Sequence, residues 1–275
     1  MYIRFKDGKP RAFTLSYDDG IVQDKRLMEI FDKYELKATF NINSGRFFPE
    51  DKEREQYGGN LKLSEAKELY INSGHEIAVH TLTHPFLTQI KSQEVINEII
   101  EDRRNLEREF QTIVRGMAYP YGAYNEEVID ILKNCGICYS RTVQSTGGFA
   151  LPQNWLALHP TCHHTDARLM EYAESFVDMN YPWRRKPLFY VWGHSYEFDA
   201  HDNWNVIEEL AKFISGRDNI WYATNIEIYD YVKAYNSLQV SVDKKMIYNP
   251  SATDVWAEDG DDVILIRAGE TIYRN

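Results

Sequence analysis

The sequence predicts an α/β fold of the (β/α)-barrel kind, and three observations predict it. Short apolar runs recur along the 275 residues, and most are followed by a stretch with apolar side chains on one helical face. About seven or eight such units fit, which favours parallel strands closed into a barrel, with helices outside, over a short open sheet. After Ser237 the alternation stops, and short strands separated by Asn-Pro and Asp-Gly turn signals follow. The expected division is a barrel over 1–237 and a small β appendage over 238–275 packed on it.

Taken in order, the first strand is Ala12 to Tyr17. Leu27, Ile30, Phe31 and Tyr34 then fall at i, i+3, i+4 and i+7. Ala38 to Ile42 is the second strand, and the polar stretch Ser44 to Asn60 reads as a surface loop long enough to shape a groove. Ser64 is read as the cap of a helix carrying Ala66, Leu69 and Tyr70, closed by Gly74. His75 to Val79 is the third strand. Ser92 opens a long helix with Ile96, Ile99, Ile100, Leu106 and Phe110 inward, and Val114 to Ala118 is the fourth strand. Asn125 caps a helix with Val128, Ile131 and Leu132. Ile137 to Val143 is the fifth strand, and Trp155 to Leu158 the sixth. Leu169, Tyr172, Ala173 and Phe176 mark a helix before the strand Pro187 to Trp192. Ile207, Leu210, Ala211 and Ile214 mark the next, ended by Gly216. Ile220 to Ala223 is the last barrel strand, and Asn225 caps the final helix. Leu238–Val242, Lys245–Tyr248 and Val263–Arg267 are the appendage strands.

A chain of this length buries enough surface to need neither disulfide nor metal for its core. It is 43% hydrophobic and 27% charged, which excludes wholesale disorder. Its net charge of −11, 42 acidic against 31 basic side chains, argues against nucleic acid or an anionic membrane as partner. Nineteen Tyr and six Trp suit stacking on sugar rings as well as core packing. Three cysteines are too few for a disulfide framework, and Cys135 and Cys138, without a second pair, read as core rather than as a redox or zinc half-site. The N-terminus has no apolar signal region, and no run approaches the ~18 apolar residues of a membrane span. As given, a cytoplasmic chain is expected, or an extracellular or cell-surface one if a leader has been removed.

Barrels keep their active sites at the C-terminal ends of the strands. There the sequence puts Asp18, Asp19 and Gly20 after the first strand, and His80 and His84 after the third. Pro120, Tyr121 and Gly122 follow the fourth, and His194 follows the strand at 187–192. Two imidazoles and a carboxylate with an open position make a catalytic rather than a structural zinc arrangement. Adjacent Asp18 and Asp19 repel unless a cation or hydrogen bonds compensate. Successive side chains of an extended segment point opposite ways, so one can bind a metal while the other acts as a base. The bland readings are a solvated Asp-Asp-Gly turn and two surface histidines.

Ser16-Tyr17-Asp18-Asp19-Gly20 resembles Thr-Phe-Asp-Asp-Gly, the first motif of the NodB-homology polysaccharide deacetylases, carbohydrate esterase family 4. His80-Thr81-Leu82-Thr83-His84 resembles the second, Tyr119-Pro120-Tyr121-Gly122 the end of the third, and Trp192-Gly193-His194 stands where the fifth, Leu-x-His, is expected. Order and spacing agree over roughly residues 10 to 235. The resemblance implies a distorted (β/α) barrel of about seven units and hydrolysis of N-acetyl groups on amino sugars of a glycan. It implies Asp19, His80 and His84 as ligands of a divalent metal, usually Zn2+. It also implies Asp18 as the base for a metal-bound water, His194 as the acid, and the Tyr121 backbone N–H as an oxyanion donor.

The chain departs from the family pattern in three places. The arginine that contacts the base falls at Ala118, and Arg141 is expected to supply the guanidinium, with Arg115 the other candidate. The fourth motif, Asp-x-x-Asp-Trp, is not recognisable, so the partner of His194 is not identified. His163 and His164 lie in that region and either line the site or belong to a solvated loop. Trp192 replaces a small aliphatic residue. Aromatic residues after His194, Tyr196 to Trp204, suit either a sugar platform or packing under the next helix. Rival readings are the same chemistry on a small cyclic amide, a ureide or a nucleotide-linked sugar, and a non-catalytic carbohydrate-binding barrel.

Overall fold

A computed structural model of the chain describes residues 1–53, 59–178 and 186–274. Its strands are β1 (Tyr2–Arg4), β2 (Arg11–Asp18), β3 (Ala38–Ile42), β4 (Glu76–Val79), β5 (Gly116–Ala118), β6 (Tyr139–Arg141), β7 (Cys162–His163), β8 (Leu188–Gly193) and β9 (Ile220–Tyr222). The helices among them are α1 (Asp24–Lys33), α2 (Leu63–Tyr70), α3 (Ser92–Phe110), α4 (Glu126–Asn134), α5 (Leu169–Asp178), α6 (Tyr196–Ala200), α7 (Asn205–Ile214) and α8 (Asn225–Asn236). Seven strands pair side by side in parallel in the order β6-β5-β4-β3-β2-β8-β7, and β9 joins the N-terminal half of β2. This is the distorted (β/α) barrel expected. Residues 158–164 span its seam. Leu158 exchanges backbone bonds with Ser140 and Thr142, whereas Thr161 and His164 donate to Tyr190 and Trp192 of β8.

Alternation along the strands sorts the side chains. On β2, Phe13, Leu15 and Tyr17 join the large apolar cluster under the outer helices. Thr14, Ser16 and Asp18 point the other way, into a polar interior. There the Thr14 hydroxyl donates to Asn225 Oδ1 at 2.9 Å, and Asn225 Nδ2 to the Tyr190 hydroxyl at 2.7 Å. Asn41 Nδ2 donates to Ser16 Oγ and Asp18 Oδ1, both at 2.8 Å. A second apolar cluster, with Phe5, Tyr139, Trp221, Ile228 and Tyr231, joins α8 to the N-terminal part of the chain.

Several elements differ from the sequence reading. Trp155–Ala157 is a 3-10 turn, not a strand, capped by the Asn154 side chain at Leu156 N. The next strand is β7. The fifth strand is shorter than expected, Tyr139–Arg141. Ser64 is not a cap: its N–H and Oγ both donate to Glu50, and Lys62 precedes the helix, its N–H donating to Glu65. Ile96, expected inward, is 42% exposed. Asn125 does cap α4, accepting from Val128 N, but α8 is capped by Thr224 with Glu227 rather than by Asn225. Of the 44–60 loop, residues 54–58 lie outside the described residues.

The C-terminal strands are β10 (Gln239–Val240), β11 (Met246–Tyr248), β12 (Val255–Asp259), β13 (Asp262–Ile266) and β14 (Thr271–Tyr273). They form two antiparallel sheets, β10-β11-β14 and β1-β12-β13. The N-terminal strand β1 thus pairs with the C-terminal region, a contact that local pattern does not carry. All three cysteines are free thiols, Cys135 and Cys162 buried. No described helix is long and apolar enough to cross a membrane.

Candidate active site

Asp18 ends the inward series of β2 and is buried. Asp19 has φ +81°, in the left-handed region that Asp tolerates better than most side chains. That turn cancels the expected alternation. Both carboxylates face one space, and His80 Nε2 lies 3.8 Å from Asp18 Oδ2 and 3.8 Å from Asp19 Oδ1.

His80 continues the inward series of β4. Its Nδ1–H donates to Ala118 O at 2.9 Å, which leaves the Nε2 lone pair for the site. Thr81 and His84 both have φ of +66°, so the chain doubles back and His84 Nε2 comes 3.7 Å from Asp19 Oδ1. Asn43 Nδ2 donates to the carbonyls of His80 and Thr81, and buried Asp102 accepts the N–H groups of Ser44 and His80 at 2.7 and 3.1 Å. Burial, reinforced by His80, pushes His84 down to about 4, so its ring is neutral at pH 7.

Asp19 Oδ1 is a buried oxygen with no hydrogen-bond partner, facing two imidazole nitrogens. A buried acceptor of that kind is costly unless a cation fills the space between the three atoms. Two imidazoles and one carboxylate are the donor set of catalytic zinc. The residues therefore fit a divalent metal.

Arg141, fully buried, ends the inward series of β6 and donates through Nη2 to Asp18 Oδ2. Its guanidinium also lies 4.3 Å over the Trp192 ring. Arg115, the other candidate, is instead held bidentate by Asp230 at 3.0 and 2.6 Å. Burial raises the Asp18 pKa, but Arg141, His80 and His194 outweigh it and hold Asp18 at about 2. Tyr121 sits at φ +57° in the Pro120–Gly122 turn. Its ring is 54% exposed, packs edge-on to His84 at 4.6 Å, and stacks on Phe86 at 3.7 Å.

His194 follows β8, with Nε2 3.9 Å from Asp18 Oδ2 and Nδ1 3.4 Å from Glu197 Oε1. Burial would lower its pKa, but Glu197, Asp18 and Asp19 outweigh burial and raise it. Glu197 is the residue the sequence reading missed. Its Oε2 lies 3.2 Å from His163 Nε2 and 3.0 Å from His164 Nε2. The three-residue spacing from His194 into a short helix was the available signal. Of the rings that follow, Phe198 and Trp204 are core, and Tyr196 stays 43% exposed beside His194.

Residues 5–140 match the family described as polysaccharide deacetylase. A chitooligosaccharide deacetylase of Sinorhizobium fredii is 26% identical over 133 residues, 47% of this chain and 55% of that protein. The chain thus spans about half the length of that curated relative, and about a quarter of a fungal one. A Mycobacterium smegmatis structure shares the fold at TM-score 0.60 and 14% identity, covering 86% of this chain and 94% of its own. So does a Bacillus anthracis protein described as a CE4 family pseudoenzyme, at TM-score 0.50 and 17% identity, covering 84% and 68%. A shared fold therefore does not by itself imply catalysis, and the case for activity has to come from the side chains.

Proposed function

The chain belongs to the NodB-homology polysaccharide deacetylases, carbohydrate esterase family 4, and from that premise we propose that it hydrolyses N-acetyl groups on amino sugars of a glycan. The observation that carries the reading is the meeting of Asp19 Oδ1 with His80 and His84 Nε2, with Asp18 and His194 bordering the same space. Asp19, His80 and His84 would hold a divalent cation, Zn2+ by their donor set, which would polarise the amide carbonyl and acidify a water.

The chain's own residues do the rest. Asp18, kept ionised by Arg141, accepts a proton as the water oxygen adds to the carbonyl carbon. A base near 2 is weak, and a bound cation would supply the acidity that the water needs. The Tyr121 N–H donates to the carbonyl oxygen as charge gathers there. His194, with its raised pKa, gives a proton to the nitrogen as the C–N bond breaks, leaving acetate and a free amine. Exposed Tyr121, Phe86 and Tyr196 around the opening suit a sugar ring.

The test is the metal content of zinc-equilibrated protein beside His84→Ala, with acetate release from a panel of acetylated glycans and small cyclic amides. About one zinc per chain, lost in the variant, with acetate released from a glycan, is expected. No metal in either protein would sink the reading. Turnover confined to a cyclic amide would move the substrate.

A further inference from the structure

We propose that Glu197 is the positioning residue for His194, and that His163 and His164 hold Glu197 in place. This rests on reading His194 as the proton donor.

Three imidazoles share one carboxylate. Glu197 Oε1 faces His194 Nδ1 at 3.4 Å, and Oε2 faces His163 and His164 Nε2 at 3.2 and 3.0 Å. An ionised carboxylate only accepts, so the ring nitrogens turned toward it carry protons. For His194 that places a proton on Nδ1 and turns Nε2 toward Asp18 and the reaction space. His194 Nδ1 is buried and has no partner of hydrogen-bond geometry among the described residues, so the Glu197 carboxylate at 3.4 Å is the acceptor it faces. His164 is confined by its neighbours. Its ring packs against Tyr17 and Phe198, with centroids at 5.7 and 4.2 Å, and neither of its nitrogens has a partner of hydrogen-bond geometry among the described residues, so the Glu197 carboxylate 3.0 Å from Nε2 is the acceptor it faces. Three positive or dipolar neighbours outweigh burial and hold Glu197 well below the usual carboxylate range.

The same three atoms, His163 Nε2, His164 Nε2 and a Glu197 oxygen, are close enough to suggest a second metal site. The Thr165 N–H, however, donates to His163 Nδ1 at 3.2 Å. A neutral ring that accepts at Nδ1 carries its proton on Nε2, which then has no lone pair for a metal. His163 therefore turns a proton rather than a lone pair toward Glu197, which argues against a cation there. The charged and titratable groups facing His194 are Asp18 and Asp19 at the end of β2, His163 and His164 at β7, and Tyr196 and Glu197 on α6. Arg141 lies behind Trp192.

The experiment is histidine-selective 15N NMR of the zinc-loaded full chain, wild type and Glu197→Gln, with zinc content and the pH profile of kcat. In the wild type, neutral His194 is expected to carry its proton on Nδ1. An Nε2–H form there would overturn the assignment without any variant. In Glu197→Gln the His194 pKa should fall by at least a unit and the alkaline limb of kcat should move with it, at about one zinc per chain. Glu197→Asp should recover part of the shift. An unchanged His194 titration, or a second zinc lost in Glu197→Gln, would reject the proposal. If wild type released no acetate from any glycan, the function would fall, and the tautomer would still decide the role of Glu197.

Discussion

Arg141 Nη2 donates to Asp18 Oδ2 across 123 residues of sequence, inside the barrel. The guanidinium enters from β6, whereas the family pattern would bring it from the position of Ala118 on the neighbouring strand β5. The two positions pair directly, Ala118 with Arg141, so a charge moved one strand over still reaches the same carboxylate.

Arg141→Ala should therefore abolish turnover, by about 10²-fold or more, while zinc stays bound. It should also lower the melting temperature, because Asp18 would be left buried with its main cationic partner gone. Arg141→Lys restores a charge but not the planar fork, and should recover only part of the rate. Full activity in Arg141→Ala, measured with zinc content on the same sample, would remove Arg141 from the site.

Asp18→Asn and His84→Ala separate two roles that the adjacent carboxylates blur. Asp18→Asn should hold about one zinc per chain and lose turnover. His84→Ala should lose both, because His84 Nε2 is one of the three atoms around the orphaned Asp19 oxygen. Near-normal acetate release by Asp18→Asn would exclude Asp18 as the base.

Much of the barrel was legible because alternation along a buried strand leaves a clear pattern. Thr14-x-Ser16-x-Asp18 on β2 and Glu76-x-Ala78 on β4, continued by His80, are inward series, and each ends in a residue of the candidate site. Asp18, Asp19, His80, His84, Arg141 and His194 do come together. What sequence did not carry depends on geometry or on distant pairing. The positive φ of Asp19 turns two carboxylates to one side, which residue identity alone does not announce. Glu197 sat unnoticed in an aromatic run, since its partners His163 and His164 are more than thirty residues away. The Trp155 segment is apolar enough for a strand, but Asn154 caps it into a turn.

Gly193 leaves room for this arrangement. A Cβ there would come within 2.0 Å of His164 Nδ1, on a ring already packed against Tyr17 and Phe198. Gly193→Ala should push His164 off Glu197, cost about 1–3 kcal/mol of stability and lower kcat at unchanged zinc content. A variant with wild-type melting temperature and kcat would mean that His164 is not fixed as described.

Glu76 gives a pH signature separate from catalysis. It accepts from the Tyr139 hydroxyl at 2.7 Å, the Thr39 hydroxyl at 2.7 Å and Ile226 N at 2.9 Å, tying β3, β4, β6 and α8. Burial nonetheless outweighs these donors and raises its pKa from 4.5 to about 7. Between those values the unfolded chain has lost a proton that the folded chain keeps, so stability falls as pH rises through that window and levels off above about 7. The full effect is on the order of 3 kcal/mol. Glu76→Gln removes the titration and can keep all three contacts, because its amide NH2 can donate to the Tyr139 oxygen. Urea midpoints taken from pH 5 to 8 should therefore drop less in Glu76→Gln than in wild type, with the gap opening toward pH 7. Parallel curves would mean that Glu76 is already ionised in the folded barrel.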